Sequence, residues 1–222
     1  IIMASERAGR PHELVKRRPR RKPTPKKDCP FENLEKSGNW PPILAYPNQE
    51  RWEAVVIPNK YPALRHREMC AVRFRHGPYE VAEGIGSHEL VVTRDHEKNV
   101  AELSPNAALH VFQMLQEWYR MCAKDPCVSY TSAFFNWGPT AGATVYHPHF
   151  QVLSLPIVPP HVKHSLFGSR RYFEKHGRCV HCEVVAYEEK EKTRIVGENA
   201  GALAVSSFFS RTPFSVTVFP KA

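Results

Sequence analysis

The stretch from Thr144 to Leu153 constrains the fold most, because it has the pattern of a strand and carries two histidines and a glutamine at every second position. In an extended chain, residues i, i+2 and i+4 point to one face. His147, His149 and Gln151 are therefore expected on one side of a strand, facing a common site. Just upstream, the sequence predicts a loop that lets backbone N–H groups approach an anion closely, at Gly138, Pro139 and Gly142.

A histidine beside such a loop suggests nucleophilic catalysis at phosphorus. A neutral imidazole can attack an α-phosphorus and form a phosphoramidate, which divides one difficult transfer into two easier ones. His149 is the candidate nucleophile, and it needs a tautomer fixed by a hydrogen bond at its other nitrogen. Phosphoryl oxygens also need donors, and the candidates are Thr144, Gln151 and the N–H groups around Gly142. A lone buried histidine is usually structural, but this spacing behind a glycine loop favours function.

Length and composition restrict the class of protein. A chain of 222 residues with 42% hydrophobic residues can hold one large domain or a domain and a half. No apolar run approaches the roughly 18 residues of a membrane helix, and no signal peptide is visible. The six cysteines are scattered apart from one Cys-x-x-Cys. That usage indicates reduced thiols and metal ligands, not a disulfide framework, and therefore a cytoplasmic protein.

The net charge of +9 is concentrated near the N-terminus, where the segment from Lys16 to Lys27 carries eight basic residues. One interpretation is a nucleic-acid-binding arm. A solvated surface loop broken by prolines is the favoured alternative. A basic balance also suits a small phosphorylated substrate.

The periodicity predicts an α+β fold, with one helix packed on an antiparallel sheet. Ser104 is a predicted N-cap and Pro105 a first helical residue, and apolar residues at helical spacing continue to about Lys124. Further strands are expected at 52–57, 86–93 and 128–136. Residues 63–84 are predicted to be irregular, residues 156–178 a connector with a short helix near 164–173, and the first residues a short strand.

An internal repeat divides the chain. Cys179 lies 150 positions after Cys29, and Ala204-Val205 lies 150 positions after Ala54-Val55. Each copy has a cysteine motif, a loop, a strand and a turn with proline, so we expect a duplication. The predicted domains are 1–165 and 166–222, the latter being the truncated start of a second similar unit. Both ends look cut, which predicts a part of a longer protein.

A metal site is the second predicted constellation. Cys29, His96 and His147 are distant in sequence, but each lies at a strand end or in a loop where segments can converge, and zinc accepts sulfur and nitrogen ligands in a tetrahedron. Glu32 stands where a second cysteine would complete Cys-x-x-Cys, so it is either a fourth ligand or a surface charge. Cys179 and Cys182 form a true Cys-x-x-Cys, which is half of a second site.

Taken in order, these motifs resemble the galactose-1-phosphate uridylyltransferase family of the histidine-triad superfamily, which is also similar to ADP-glucose phosphorylase-type enzymes. The matching residues extend along the whole chain, and their order and spacing are specific. They are Glu6-Arg7-Ala8-Gly9-Arg10-Pro11, Cys29-Pro30-Phe31, Asn59-Lys60-Tyr61-Pro62-Ala63-Leu64, His88-Glu89-Leu90-Val91-Val92 with His96, Asn136-Trp137-Gly138, Gly142 with Thr144, His147-Pro148-His149-Phe150-Gln151, and Cys179 with Cys182.

The resemblance implies a histidine-triad-like sheet and a set of roles. His149 would carry a nucleoside monophosphate, and Gln151 would hold the phosphoryl oxygens. His147 would bind a structural zinc with Cys29 and His96, and its carbonyl would orient His149. Phosphate and ribose contacts would come from Arg7, Arg10, Asn136 and Thr144. The nucleoside pocket would be lined by Phe31, Asn59 and Tyr61.

Two departures from the family pattern matter. Glu32 replaces the usual second cysteine, and Phe150 replaces a small residue, which is expected to alter packing behind the nucleophile. Related hydrolases carry a third histidine at position 151, and a neutral amide there cannot act as an acid.

The sequence therefore predicts a nucleotidyltransferase that moves a nucleoside monophosphate between a nucleotide sugar and a hexose 1-phosphate, by a ping-pong path, in a homodimer. The alternatives are a phosphorylase or hydrolase of the same superfamily, an inactive member, and a nucleic-acid-binding protein that uses the basic run.

Overall fold

The computed structural model describes residues 2–3, 23–208, 210 and 212–221. Two compact units, Ile1–Val158 and Pro159–Ala222, divide the chain. The described residues form eleven strands and three α-helices, in the order β1 (Ile2–Met3), β2 (Leu44–Tyr46), β3 (Ala54–Pro58), β4 (Arg73–His76), β5 (Tyr79–Glu83), β6 (Ser87–Thr93), α1 (Pro105–Cys122), β7 (Tyr130–Phe135), β8 (His149–Leu155), α2 (Pro160–His176), α3 (Val180–Glu191), β9 (Ile195–Glu198), β10 (Ala202–Val205) and β11 (Thr217–Pro220).

The first unit is built on a five-stranded sheet in the order β2-β3-β6-β8-β7, in which all neighbours are antiparallel. Successive side chains of a strand point to opposite faces. One face of the sheet packs against α1, with Val56, Val91 and Val152 against Val111 and Met114. The other face has its own buried cluster, which includes Phe31, Ile57 and Leu90. The predicted α+β fold, with one helix on an antiparallel sheet, is confirmed.

Helix α1 begins where its start signal predicts. The Ser104 side chain accepts a hydrogen bond from the Ala107 N–H, and Pro105 occupies the first helical position, where its missing N–H costs nothing. The helix ends at Cys122, two residues before the predicted end. Its buried residues recur every three or four positions, which explains why the periodicity was sufficient to place it.

Residues 63–84 are not irregular, and that prediction was wrong. They contain the hairpin β4–β5, in which His76 pairs with Tyr79 across a two-residue turn, and β1 extends this sheet in parallel. All four residues of β4 are exposed. A strand with no buried face has no apolar alternation, so the sequence pattern could not show it.

The second unit repeats a hairpin of the first. Ala45 pairs with Val55 in the first unit, and Ile195 pairs with Val205 in the second, so both partners lie 150 positions further along the chain. In each unit a later strand, β6 or β11, pairs antiparallel with the other edge of the hairpin's second strand. The start of a second similar unit is therefore confirmed.

Two helices precede the repeated hairpin in the second unit. α2 covers residues 160–176 and exceeds the short helix expected near 164–173, and α3 was not predicted. The division into domains at residue 165 remains a prediction, and that boundary would fall inside α2. None of the described helices is both long and apolar enough to cross a membrane.

One disulfide contradicts the expectation of reduced thiols. Cys70, between β3 and β4, is bonded to Cys127, between α1 and β7, with the two Cα atoms 4.9 Å apart. The two residues are 57 positions apart and belong to no spacing motif. The sequence could not reveal the pair, because the contact depends on the tertiary fold. Cys29, Cys122, Cys179 and Cys182 are free thiols.

Candidate active site and metal centre

An open cavity of about 950 Å³ lies on the face of the sheet opposite α1. It brings together every predicted substrate-binding and catalytic residue that the structure describes. These are Phe31, Asn59, Tyr61, Asn136, Gly142, Thr144, His149 and Gln151. The two other predicted phosphate contacts, Arg7 and Arg10, lie outside the described residues, as do residues 16–22 of the basic run.

The register of β8 places the two predicted catalytic side chains. His149 pairs with Val92 and Gln151 pairs with Leu90 of β6, so these four side chains share one face. Val92 and Leu90 belong to the buried cluster on that face, which holds the strand rigidly behind the cavity. Phe150 points to the opposite face, is buried with α1, and packs at 4.8 Å between ring centroids against Phe135.

His149 has a defined tautomer. Its Nδ1 lies 2.9 Å from the carbonyl oxygen of His147, and a carbonyl can only accept, so Nδ1 carries the proton. The lone pair is therefore on Nε2. The ring of Phe31 meets the His149 ring edge to face at 5.3 Å and fixes its plane. This is the arrangement that a histidine nucleophile requires.

Gln151 and the nucleoside-side residue Asn59 meet at His88. The Gln151 Oε1 atom lies 3.1 Å, and the Asn59 Nδ2 atom 3.0 Å, from His88 Nε2. The other ring nitrogen, Nδ1, accepts the backbone N–H of Ala63 at 2.9 Å. His88 belongs to a matching motif, but the sequence did not predict a role for it in the site. The sequence did carry a signal for this role: His88, Leu90 and Val92 alternate along β6 just as His149 and Gln151 alternate along the paired strand β8.

The glycine loop uses several of its own N–H groups in internal hydrogen bonds. Pro139–Ala141 forms a 3-10 turn flanked by Gly138 and Gly142, which have φ values of 76° and 80°. Glycine adopts such angles without strain. The Gly142 N–H donates to the Pro139 carbonyl and the Ala143 N–H to the Gly138 carbonyl. The turn itself therefore uses the Gly142 and Ala143 N–H groups, and phosphate binding by the N–H groups around Gly142 stays a prediction.

Four lysines line the cavity, a feature that the motifs did not predict. They are Lys26, Lys27, Lys36 and Lys60, and Asp28 and Glu32 are the acidic residues of the lining. An excess of positive charge around a concave site favours anionic ligands. Lys60 lies inside the quoted Asn-Lys-Tyr-Pro motif, so its signal was present in the sequence.

The predicted metal ligands converge beside the cavity. Cys29, His96 and His147 are buried, and their ligand atoms all lie within 4.8 Å of one another. Cys29 Sγ is 3.5 Å from His147 Nδ1, and His96 Nδ1 is 3.3 Å from the same atom. Glu32 Oε1 is 3.0 Å from His96 Nδ1 and 3.7 Å from His147 Nδ1. Ligand atoms that surround a zinc ion at 2.0–2.3 Å stand about 3.3–3.8 Å apart in a tetrahedron.

The hydrogen bonds on the outer side of this cluster determine what faces its centre. His96 Nε2 lies 2.7 Å from the Thr24 carbonyl, and His147 Nε2 lies 2.7 Å from the Thr93 carbonyl. Both Nε2 atoms therefore carry protons, and both Nδ1 atoms present lone pairs inward. Glu32 Oε1 is buried and has no satisfactory hydrogen bond, although it lies close to His96 Nδ1. The Cys29 sulfur and the two Nδ1 lone pairs converge on one point and fit a cation, and Glu32 Oε1 lies close to the two imidazoles as a candidate fourth ligand.

The direction of the pKa shift suits a metal ligand at His147 but not at Cys29. Burial lowers the pKa of His147 to about 4, so the imidazole is neutral and can act as a ligand. Burial raises the pKa of the Cys29 thiol. A bound cation would reverse that direction, because a coordinating thiol is deprotonated.

The second Cys-x-x-Cys is exposed and incomplete. Cys179 caps the N-terminus of α3 and Cys182 lies in its first turn, and both thiols are exposed. Hydrogen bonds from the Cys182 and His181 backbone lower the pKa of Cys179. Among the described residues, these cysteines belong to no group of three or more ligands close enough to hold a metal.

Curated relatives give the same identification as the motifs. The chain is 29% identical over its whole length to ADP-glucose phosphorylase from Arabidopsis thaliana and covers 62% of that protein. It is 29% identical over 78% of its length to galactose-1-phosphate uridylyltransferase from Thermotoga maritima, of which it covers 54%. No family model matches the sequence. The chain therefore spans little more than half the length of these curated relatives.

Solved structures agree with the fold of the chain. A uridylyltransferase structure superposes with a TM-score of 0.70 at 31% identity, over 82% of this chain and 60% of the other. The structure of Arabidopsis thaliana ADP-glucose phosphorylase with bound ADP-glucose gives 0.73 at 25% identity, over 100% of this chain and 64% of the other. The resemblance to the galactose-1-phosphate uridylyltransferase family is confirmed, and the relatives that the chain matches are enzymes.

Proposed function

We propose that the protein transfers a nucleoside monophosphate between a nucleotide sugar and a hexose 1-phosphate by a ping-pong path. The observation that carries the proposal is the His149 ring. Its Nδ1 proton is held by the His147 carbonyl, and its lone-pair nitrogen belongs to the lining of a lysine-rich cavity. The similarity to uridylyltransferases and to ADP-glucose phosphorylase supports the same reaction class.

In the first step, His149 Nε2 attacks the α-phosphorus of the nucleotide sugar. The new N–P bond forms as the bond from phosphorus to the bridging oxygen breaks, and the hexose 1-phosphate leaves with that electron pair. Positive charge that develops on the imidazole is stabilised by the Nδ1–H donor bond to the carbonyl oxygen. In the second step, a phosphate oxygen of another hexose 1-phosphate attacks, and the N–P bond breaks.

Gln151 favours transfer over hydrolysis in this proposal. Its amide can donate to a phosphoryl oxygen, but an amide cannot give up a proton as a general acid. Water is a poor nucleophile without such help. The nucleotidyl-histidine should therefore persist until a phosphate acceptor enters the cavity, where the lysines attract it.

We also propose that zinc is bound by Cys29, Glu32, His96 and His147. The converging ligand atoms of Cys29, His96 and His147 support the ion, and Glu32 Oε1, which lies 3.0 Å from His96 Nδ1 and 3.7 Å from His147 Nδ1, is the proposed fourth ligand. Such an ion would be structural. It would fix His147, whose carbonyl orients the nucleophile, and it takes no part in the bonds that change. Cys179 and Cys182 are proposed as half of a second metal site.

A second candidate reaction uses inorganic phosphate as the acceptor, as in a nucleotide-sugar phosphorylase. The Arabidopsis thaliana ADP-glucose phosphorylase, which this chain matches over its full length, favours it. The first half-reaction would be the same. The partner molecules, the homodimer and the division into two domains remain proposals.

A cytoplasmic location is likewise proposed, since nucleotide sugars and free thiols are common there. The Cys70–Cys127 disulfide argues against it, because disulfides persist mainly in oxidising compartments. Thiol labelling of the protein in intact cells would decide, since a cytoplasmic protein is expected to have both cysteines reduced.

A product assay separates the two reactions. The full-length protein is incubated with UDP-glucose or ADP-glucose and either galactose 1-phosphate or inorganic phosphate. Formation of a new nucleotide sugar with galactose 1-phosphate supports the transferase, whereas a nucleoside diphosphate formed with inorganic phosphate supports the phosphorylase. His149→Ala is the control and should abolish both products. Absence of either product with both nucleotide sugars would refute nucleotidyl transfer.

A further inference from the structure

His88 joins three parts of the site through its two ring nitrogens. It lies on β6, is buried, and stands beside the face of β8 that carries His149 and Gln151. Its own carbonyl accepts the Asn59 N–H at 3.0 Å. A buried imidazole with partners at both nitrogens has its tautomer imposed by them.

The tautomer of His88 follows from the backbone. The Ala63 N–H can only donate, and it is 2.9 Å from Nδ1, so Nδ1 is the acceptor and the ring proton is on Nε2. Two side-chain amides approach Nε2. The Asn59 amide presents its nitrogen, since its Oδ1 accepts the Tyr61 N–H at 2.9 Å. An amide nitrogen cannot accept the ring proton, so Gln151 Oε1 at 3.1 Å must do so.

The orientation of the Gln151 amide is therefore fixed. With Oε1 held by His88, its NH₂ group is the part left to donate to a phosphoryl oxygen. A flipped amide would leave the Nε2–H without an acceptor, because the Asn59 NH₂ cannot accept it, and would offer the phosphate an oxygen. We propose that His88 is a positioning residue that selects the donor-forward orientation of Gln151, and thereby sets the rate at which His149 is nucleotidylated. This inference rests on the proposed function.

The first arm of the test does not depend on activity. In the full chain labelled with ¹⁵N-histidine, long-range ¹H–¹⁵N correlation reports which ring nitrogen of each neutral histidine is protonated. The His88 signal is assigned by its loss in His88→Gln. Protonation at Nε2 is expected, and protonation at Nδ1 would overturn the proposal. This result decides the tautomer even if the protein proves to have no transferase activity.

The second arm is a double-mutant cycle on the rate of labelling of His149 by a nucleotide sugar with ³²P at its α-phosphate. Loss of one preorganised donor reduces rates by about 10²–10³-fold. We expect His88→Phe and Gln151→Ala each to slow labelling by roughly 10–100-fold, and the double variant to be no slower than Gln151→Ala alone. The variants should lower the maximal rate of labelling more than they change the nucleotide-sugar concentration that gives half of that rate.

His88→Gln provides the rescue, because its amide NH₂ can donate to Gln151 Oε1 in place of the imidazole. Partial recovery of the rate relative to His88→Phe is expected. Fully multiplicative effects in the cycle would show that His88 acts through packing and would overturn the proposal. Failure of the wild-type chain to be labelled would instead refute the proposed function, and the tautomer measurement would still test His88.

Discussion

Backbone carbonyl and amide groups decide what each histidine of the site can do. The carbonyls of Thr93 and Thr24 turn the Nδ1 lone pairs of His147 and His96 toward the metal centre, and the carbonyl of His147 leaves the lone pair of His149 on Nε2. The residue types and spacing predicted which side chains gather. They could not predict the role of His88 or the use of the Gly142 N–H within its own turn, because both depend on backbone atoms that the sequence does not place.

Glu32 gives the first prediction at the residue scale. Removal of a metal ligand should weaken zinc binding by at least about 10-fold, as even outer-sphere partners do. Glu32→Ala should therefore lose zinc during dialysis against a chelator that leaves the wild-type protein loaded. Glu32→Cys should retain zinc at least as well as the wild type. Zinc per chain is measured by atomic absorption, and Glu35→Ala, a nearby exposed carboxylate, is the control. Equal zinc in all four proteins would remove Glu32 from the ligand set.

Glu89 gives the second prediction at the residue scale. It is buried on the α1 face of β6, where burial raises its pKa to about 7 although Ser87 donates a hydrogen bond to it. The folded state therefore keeps a proton that the unfolded chain releases near pH 4.5. The resulting loss of stability begins above about pH 4.5 and is complete above about pH 7, where it reaches up to roughly 3 kcal/mol.

Glu89→Gln carries an uncharged isostere of the protonated acid and avoids this loss. Its free energy of unfolding in urea should exceed that of the wild type at pH 8, and the two should converge near pH 4.5. Glu117→Gln on the exposed face of α1 is the control and should change stability by less than about 0.5 kcal/mol at either pH. A difference between Glu89→Gln and wild type that is independent of pH would contradict a proton held at Glu89.

At the scale of elements, the central strand β6 begins with a close approach that only glycine allows. Gly86 has a φ of 151°, and a Cβ atom there would lie 2.1 Å from the Ser154 carbonyl oxygen of β8. Gly86→Ala must therefore force β6 and β8 apart, and we expect a cost above about 3 kcal/mol, at the upper end for overpacking. Gly77 in the β4–β5 turn has a φ of 58° and open space around it. Gly77→Ala should therefore lower the free energy of unfolding by only about 1–2 kcal/mol. Thermal unfolding of both variants measures the difference, and equal costs would contradict the contact.

The disulfide ties two connections that flank the site-bearing sheet. Opening a loop of about 57 residues in the unfolded chain should lower the free energy of unfolding by about 4 kcal/mol in the chain-entropy account. Urea unfolding with and without dithiothreitol tests this. In Cys70→Ser/Cys127→Ser, the reductant should have no further effect. If the wild type is equally insensitive to reductant, the bond is absent or makes no contribution to stability.

Helices and strands with a regular pattern of buried residues could be predicted from the sequence, and those without one could not. Helix α1, with a capping serine, a first-turn proline and a buried stripe, was placed to within two residues. The exposed β4 has no such pattern and was missed. The sequence repeat at 150 positions predicted a second similar unit with a strand at Ala204-Val205, and β10 lies there; its pairing with β9 matches the first hairpin at Val205 and Ile195 and shifts register beyond that pair.

For the whole molecule, one sheet positions both the candidate metal ligands and the candidate nucleophile His149. The start of β8 carries His149 into the cavity lining beside His88 of β6, while the connections after β6, before β8 and before β2 bring the metal ligands together. The proposed reaction rests on the cavity, its lysines and the similarity to ADP-glucose phosphorylase, which extends along this chain and covers 62% of that protein. The first half-reaction, nucleotidylation of His149, is common to the transferase and to the phosphorylase, and is therefore the central claim.

That claim is tested by incubating the full-length protein with UDP-glucose or ADP-glucose in the absence of any acceptor, and analysing its peptides by mass spectrometry at alkaline pH. The account predicts an acid-labile addition of one nucleoside monophosphate on the peptide that contains His149, which disappears when hexose 1-phosphate or inorganic phosphate is added. His149→Ala should show no addition. No addition with either nucleotide sugar, or an addition on another residue that persists in His149→Ala, would contradict it.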